Sequence, residues 1–255
     1  MDASAPRERF SDRVADYVRY RPDYPPALLD WVHGELGVAR DAQVADIGAG
    51  TGISTRMFLQ AGHPTLAVEP NAAMRAAAET LLRDLPGFAA VDGSAEATTL
   101  PAASVDLISA AQAFHWFDLE AVRREWARVL RPGGLALVYW NSRLLDGTPF
   151  LHDYEQLLLD YGTDYSAVAE RYHDDATMQR WFGAGLRGTA QFPNVQKLDY
   201  DGLRGRLLSS SYAPLAGHPR HEPMLAALRA LFDRHQVDGL VDVHYRTRAF
   251  AGTLN

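Results

Sequence analysis

Val44-Ala45-Asp46-Ile47-Gly48-Ala49-Gly50-Thr51-Gly52, with Glu69 following it, is the stretch on which the fold turns. Gln43 to Ile47 reads as a short buried strand of small and β-branched residues with an acid near its end. Three closely spaced glycines then let the backbone turn sharply and approach a ligand where a Cβ would clash. Ile53 to Leu59 resumes as a helix, so the glycines stand where a strand hands over to a helix N-terminus. Pro64 to Val68 is a second apolar strand with Glu69 at its carboxyl end. In a doubly wound sheet an acid there faces the ribose hydroxyls of a nucleotide held over the first turn. The whole reads as a nucleoside-binding βαβ unit.

The chain has 255 residues, enough for one large domain or one domain with an insertion and a substantial core. Apolar residues make up 47% and charged residues 22%, ordinary for a globular protein. A formal net charge of -7 disfavours nucleic acid as a partner, because phosphate binding needs a basic face. With no cysteine there is neither a disulfide framework nor a thiolate metal site. The N-terminal residues lack the apolar core of a signal peptide, and no apolar run reaches the length of a membrane span. The expectation is a cytoplasmic bacterial protein, monomer or homodimer, with a small-molecule partner and no membrane association. Positive charge comes almost wholly from arginine, Lys197 being the only lysine.

Which nucleoside is bound turns on spacing. Dinucleotide folds prefer Gly-x-Gly-x-x-Gly with the pyrophosphate on the helix N-terminus. Here the spacing is Gly-x-Gly-x-Gly, and Asp46 lies just ahead of the first glycine. A carboxylate there repels a pyrophosphate and suits a cationic ligand. These residues resemble the first motif of class I S-adenosylmethionine-dependent methyltransferases, whose cofactor carries an ammonium and a sulfonium. The resemblance implies cofactor contacts from Asp46, Gly48, Gly50, Glu69 and Pro70, with S-adenosylhomocysteine as product and no metal.

Further along the chain the same resemblance sharpens toward small-molecule methyltransferases similar to the trans-aconitate enzymes. Tyr17-x-x-x-Arg21-Pro22-x-Tyr24-Pro25 resembles their lid, in which Tyr17 and Arg21 would bind the methionine end of the cofactor. A guanidinium clamps a carboxylate through two hydrogen bonds, which suits Arg21 to that role. Phe10 to Tyr20 would equally serve as an amphipathic helix packed on the core. Proline at 25 or 26 opens a helix over Ala27 to Leu36. Asn71 is placed to cap a helix from Ala72 to Leu85. Phe88 to Val91 is a third strand, and the loop Asp92 to Glu96 would contact adenine through Ala95 and Glu96. Ser94 stands where the family usually carries an acid.

A fourth strand, Leu107 to Ala111, leads into Gln112-Ala113-Phe114-His115-Trp116-Phe117-Asp118 at the carboxyl edge of the sheet, where such folds place ligands. This segment resembles the family's step after the fourth strand, with Gln112 toward the cofactor and His115 and Trp116 toward the acceptor. His115 titrates near neutral pH and is the candidate general base. Its alternatives are to cap the next helix or to bond within the pocket without moving a proton. Leu119, Val122, Trp126 and Val129 recur at helical spacing, so Trp126 is core. Pro132-Gly133-Gly134 stops that helix before a fifth strand, Leu135 to Trp140, and Trp140 is a further acceptor candidate.

Strands alternating with helices demand a parallel sheet with right-handed crossovers. The expected architecture is an α/β Rossmann-like, seven-stranded, mostly parallel sheet with an antiparallel edge strand and a helical insertion after strand 5. Within a single domain, residues 1–26 would form the lid, 27–141 the cofactor core, 142–215 a helical cap for the acceptor and 216–255 a final helix and strand. In the cap, Phe150 to Tyr161, Asp174 to Phe182 and Leu203 to Leu208 read as helices, and Ser211 and Tyr212 as acceptor-lining residues. Val195 to Tyr200 alternates as a strand that would pair antiparallel with Leu240 to Phe250, and Met224 to Phe232 is a helix.

His218-Pro219-Arg220-His221-Glu222 has flanking proline and no helix to fix its geometry, and His173-Asp174-Asp175 lacks a further clustered carboxylate and reads as a helix N-cap, so metal is set at none. The expected chemistry is in-line methyl transfer to a small-molecule acceptor, most readily at oxygen. The alternatives are an NAD-dependent oxidoreductase on the same βαβ unit, or a cofactor-binding protein that transfers nothing.

Overall fold

The structure, a computed structural model, describes residues 20–165 and 175–254. Seven strands form one sheet in the order β3-β2-β1-β4-β5-β7-β6. They are β1 (Val44–Ile47), β2 (Thr65–Val68), β3 (Phe88–Val91), β4 (Val105–Ala110), β5 (Leu130–Arg143), β6 (Leu186–Leu198) and β7 (Val241–Gly252). The first five pair parallel, with Asp46 opposite Ala67 on β2 and Ser109 on β4. The last two form the antiparallel edge. Chain order reverses at β1, which lies between β2 and β4, and such a switch point is where open α/β sheets bind ligands.

The helices are α1 (Ala27–Gly34), α2 (Ile53–Gln60), α3 (Ala72–Leu82), α4 (Leu119–Val129), α5 (Pro149–Tyr161), α6 (Asp175–Phe182), α7 (Tyr200–Leu208) and α8 (His221–His235). Their starts follow local chemistry. Asn71 Oδ1 accepts from the amides of Ala73 and Met74, the expected cap. Asp118 Oδ1 caps α4 through Glu120 and Ala121, so the capping role weighed for His115 falls to Asp118.

Two strands differ from expectation. β5 starts at Leu130 because the ladder continues across Pro132-Gly133-Gly134. Val105 pairs with Leu130 and Leu107 with Leu135, so the proline and glycines bulge out of register, with Gly133 at φ +82°. β6 starts at Leu186 and not at Val195. Its more buried face carries Gly188, Asn194 and Gln196 beside Ala190 and Phe192, so the apolar alternation is diluted. At the end of the sheet order, Pro193 sits where a missing ladder donor is tolerated.

The chain divides into two compact units. The core unit, Asp23–Asn141 with His173–Phe192 and Thr247–Asn255, has apolar clusters on both faces of its sheet. One cluster centres on Trp126 and Phe114, which are fully buried, so the assignment of Trp126 to the core holds. The other joins Leu28 and Trp31 of α1 to Phe58, Leu137 and Tyr139. The second unit, Met1–Pro22 with Ser142–Tyr172 and Pro193–Arg246, packs α5, α7 and α8 through Leu151, Leu158, Leu203, Leu207 and Leu228. The division falls after Pro22, Asn141, Tyr172, Phe192 and Arg246, so β6 and β7 each contribute residues to both units.

In the core unit, His33 on α1 and His63 before β2 meet Nε2 to Nε2 at 2.8 Å. His63 Nδ1 lies 3.2 Å from the Ala42 carbonyl, so Nδ1 carries the proton and His63 Nε2 accepts from His33. Burial lowers the pKa of both from 6.5, aided at His33 by His63 and at both by Arg40, against weaker opposing effects of Asp30 and Asp41 and of the Ala42 hydrogen bond. Lowered folded-state values mean that the unfolded chain binds more protons just below pH 6.5. This pair's contribution is thus complete above 6.5 and is lost as the pH falls below it. The melting temperature should drop between about pH 7.5 and about pH 5.5, and replacing both histidines with glutamine should flatten that slope.

Candidate active site

The glycine turn is built in layers from the strand outward. Asp46 is wholly buried, and its carboxylate accepts from Ser54 Oγ (2.6 Å) and Thr55 Oγ1 (2.7 Å) on α2 and from Ser109 Oγ (2.9 Å) on β4. Burial raises its pKa against the pull of those hydroxyls. The direct contact expected between Asp46 and a cationic ligand is therefore corrected. Its oxygens are turned into the strand–helix junction, where they anchor the start of α2. Tyr139 Oη lies 3.2 Å from the same Ser109 hydroxyl, and burial, reinforced by the Asp46 charge, keeps this phenol neutral well above its ordinary range.

Above that anchor, Gly48, Gly50 and Gly52 all have left-handed φ values, +67°, +59° and +89°. They are needed for different reasons. A Cβ on Gly48 would sit 2.7 Å from Ala113 Cβ, so the turn and the segment after β4 are in direct contact. Among the described residues a Cβ on Gly50 would meet only Met74 Sδ, at 3.8 Å, which leaves room for a ligand against the backbone. The Gly48 and Ala49 amides both donate to the Val68 carbonyl at the end of β2. Next to Val68 stands Glu69, nearly buried, whose Oε2 accepts from the Gly50 amide (2.9 Å) and Oε1 from the Asn71 amide (2.8 Å). The turn and the acid expected to read the ribose are thus locked together.

Thr51 adds a feature that the sequence reading missed. Its Oγ1 is buried within the glycine turn and has no hydrogen-bond partner among the described residues. A buried hydroxyl without a partner is costly, so an arriving polar ligand relieves it. Its signal was available only as the threonine inside a Gly-x-Gly run, where a solvent-facing residue reads the same way.

Ala95 is buried and its carbonyl accepts from Trp126 Nε1, while Glu96 Oε1 accepts from the Asp118 amide at 3.2 Å. The loop after β3 is thereby tied to the segment after β4. The Gln112 side-chain amide pairs with the Asn141 backbone in both directions, at 3.3 and 3.1 Å. His115 and Trp116 lie on a short 3₁₀ turn, half-buried, with ring centroids 4.6 Å apart. Phe114 is instead a core residue, edge-on to Trp181 at 5.0 Å. Trp140, expected at the acceptor, is 3% exposed and stacked on Phe250 at 5.5 Å with the Arg248 guanidinium over its ring. It packs in the core, although its Nε1 has no partner among the described residues.

Arg21, Ser211 and Tyr212 belong to the second unit. Arg21 Nη2 donates to the Ser209 carbonyl at 2.9 Å. Tyr212 packs edge-on against Tyr165, and its carbonyl accepts from the Thr163 amide. Tyr17, His173 and Asp174 lie outside the described residues. Among the described residues no three His, Asp or Glu side chains cluster as metal ligands, and no helix is long and apolar enough to cross a membrane.

A methyltransferase domain family matches residues 45–138, the span from β1 to β5. An uncharacterized methyltransferase-like protein of Schizosaccharomyces pombe is 36% identical over 248 residues, covering 95% of this chain and 94% of that protein. The chain belongs to the class I S-adenosylmethionine-dependent methyltransferases. An uncharacterized methyltransferase of Mycobacterium tuberculosis is 41% identical over 134 residues, 52% of each chain. The chain thus spans just over half the length of the first curated relatives it matches. Among solved structures, one from Anaeromyxobacter dehalogenans assigned as a type II methyltransferase superposes with a TM-score of 0.70 at 26% identity, covering 92% of this chain and 98% of that one. Membership of this family displaces the oxidoreductase alternative.

The residues present suit the family's cofactor: an open glycine backbone, a carboxylate at the end of β2 and an orphaned hydroxyl between them. Replacing Thr51 with valine keeps the shape and removes only the unpartnered oxygen. The variant should melt no lower than the parent yet bind S-adenosylhomocysteine about tenfold more weakly by calorimetry, the worth of one good hydrogen bond.

Proposed function

We propose that the protein transfers a methyl group from S-adenosylmethionine to an oxygen of a small-molecule acceptor. The observation that carries this reading is the Glu69 carboxylate bonded to the Gly50 amide, which fuses a ribose-reading acid to a turn with open backbone. When bound, the cofactor supplies an electrophilic methyl group: the acceptor's lone pair forms the new bond to carbon as the carbon–sulfur bond breaks, its electron pair staying on sulfur.

The chain's own residues have the remaining work. In this reading Glu69 orients the ribose, Gly48, Gly50, Pro70 and the Thr51 hydroxyl flank the sugar and methionine end, and Ala95, Glu96 and Gln112 border the base and the methyl group. Asp46 acts one layer below, as the anchor that fixes the turn. Arg21 and Tyr17 remain candidates for the cofactor's carboxylate end. Trp116, Trp140, Ser211 and Tyr212 remain candidates for the acceptor. A hydroxyl acceptor must also lose a proton, and His115 is the residue proposed to take it at a ring nitrogen.

Alignment is the larger contribution: holding reactants in line is worth on the order of 7–11 kcal/mol. A general base typically adds about 10²–10⁴-fold. Calorimetric titration with S-adenosylhomocysteine tests the reading directly, and absence of binding at millimolar ligand defeats it. Glu69→Ala should weaken that binding by about ten- to a hundredfold, through lost charge-assisted hydrogen bonds. With a methyl-accepting substrate, His115→Ala should leave cofactor binding intact and lower kcat by about 10²-fold or more. An unchanged pH profile in that variant would remove His115 from proton transfer.

A further inference from the structure

Arg206 on α7 is 8% exposed, and among the described residues no carboxylate pairs with it. Its Nε donates to Tyr245 Oη at 3.1 Å and its Nη1 to Ser210 Oγ at 2.9 Å. Those two bonds leave Nη2 without an acceptor among the described residues. Around it stand phenols: the Tyr245 ring 6.0 Å from the guanidinium, and Tyr154 and Tyr212 close enough to feel its charge.

The acid of the neighbouring Arg143 group is already committed. Glu155 Oε2 is bound by Arg143 and accepts from Tyr165 Oη at 2.6 Å, and the Arg143 guanidinium lies 5.1 Å from the Tyr154 ring. Glu155 is thus the counter-ion of Arg143, and Arg206 has only neutral hydroxyl partners among the described residues. A buried charge without a counter-ion is strongly disfavoured, so a fold that keeps one is expected to gain its partner elsewhere. Tyr212 feels the same imbalance. Burial pushes the Tyr212 hydroxyl up, yet Arg206 foremost, with Ser210, Arg21 and Arg143, brings it below its ordinary value.

We propose that Arg206, with Ser210 and the surrounding phenols, is an anion-recognition site that takes the carboxylate or phosphate group of the small-molecule acceptor. A guanidinium presents a planar fork matched to either group, and phenol hydroxyls add donors at its rim. Tyr212 retains partial exposure just past the end of α7. The word acceptor rests on the methyl-transfer reading, whereas the anion chemistry rests on this cluster alone.

The test uses the full chain and two probes, inorganic phosphate and citrate, each titrated by thermal shift and calorimetry against chloride at equal ionic strength. At least one probe should raise the melting temperature of the parent protein, and the responding probe identifies the source as phosphate or carboxylate. Arg206→Met, which removes the uncompensated charge at similar volume, should melt no lower than the parent and bind the responding anion at least about tenfold more weakly. Arg206→Lys keeps the charge but not the fork and should also lose about tenfold, which preserves the test where the methionine variant fails to fold. S-Adenosylhomocysteine titrated into the same variants should bind as in the parent. No response to either anion, or an equal response after Arg206 is replaced, overturns the proposal and leaves the arginine structural, with Tyr212 as its counter-charge. Loss of S-adenosylhomocysteine binding by the parent itself would instead defeat the methyl-transfer reading and leave the anion site standing.

Discussion

The core unit depends on one buried carboxylate. Asp46 accepts hydrogen bonds from two hydroxyls on α2 and one on β4, and so ties the first strand to the helix that follows and to the strand beside it. Everything that the glycine turn presents is positioned from there. An ionised carboxylate in an apolar interior is expensive, and three hydroxyl donors offset much of that cost. The same residue type satisfies a packing need and a functional one. The turn must be rigid to place a ligand, and a charge in the wrong place would unfold it.

Most of the core unit was legible in the sequence because its signals are local. The order strand, glycine turn, helix, strand and acid, the Asn71 cap and the Trp126 stripe all follow from neighbours within a few turns. Side-chain direction was not legible. Asp46 precedes the glycines by two residues and reads as a ligand-facing charge, yet the strand pleat and the hydroxyls of Ser54, Thr55 and Ser109 turn it inward. Ser54 and Thr55 are near in sequence, but Ser109 comes from a different strand, and no spacing rule predicts that contact. The surroundings of Trp140 were hidden for the same reason: its stacking partner, Phe250, arrives from the last strand.

The second unit was harder because its organising forces are non-local and polar. β6 has too little apolar alternation to be seen before Val195, since at the edge of the sheet order even its more buried face tolerates glycine, asparagine and glutamine. The Arg143, Glu155 and Tyr165 group joins a strand, a helix and a loop. Arg206 lies in a helix of low amphipathic contrast, where an arginine reads as solvent-facing; its burial becomes visible only once Tyr245 is packed against it. The polar residues that sequence patterns discount are those that give this unit its chemical character.

If alignment supplies most of the rate, then the groups that matter are those that hold atoms still, and these need not touch the reacting centre. Asp46 holds the turn, Glu69 holds the turn to the end of β2, Glu96 holds the loop after β3 to the segment after β4, and Gln112 holds that segment to Asn141. Each of these contacts joins two elements near the carboxyl edge of the parallel strands, so the edge behaves as one connected frame. A frame of that kind binds a constant cofactor well and leaves the acceptor to be chosen by residues outside it. The well-patterned half of the chain, which carries this frame, therefore reads as the family feature.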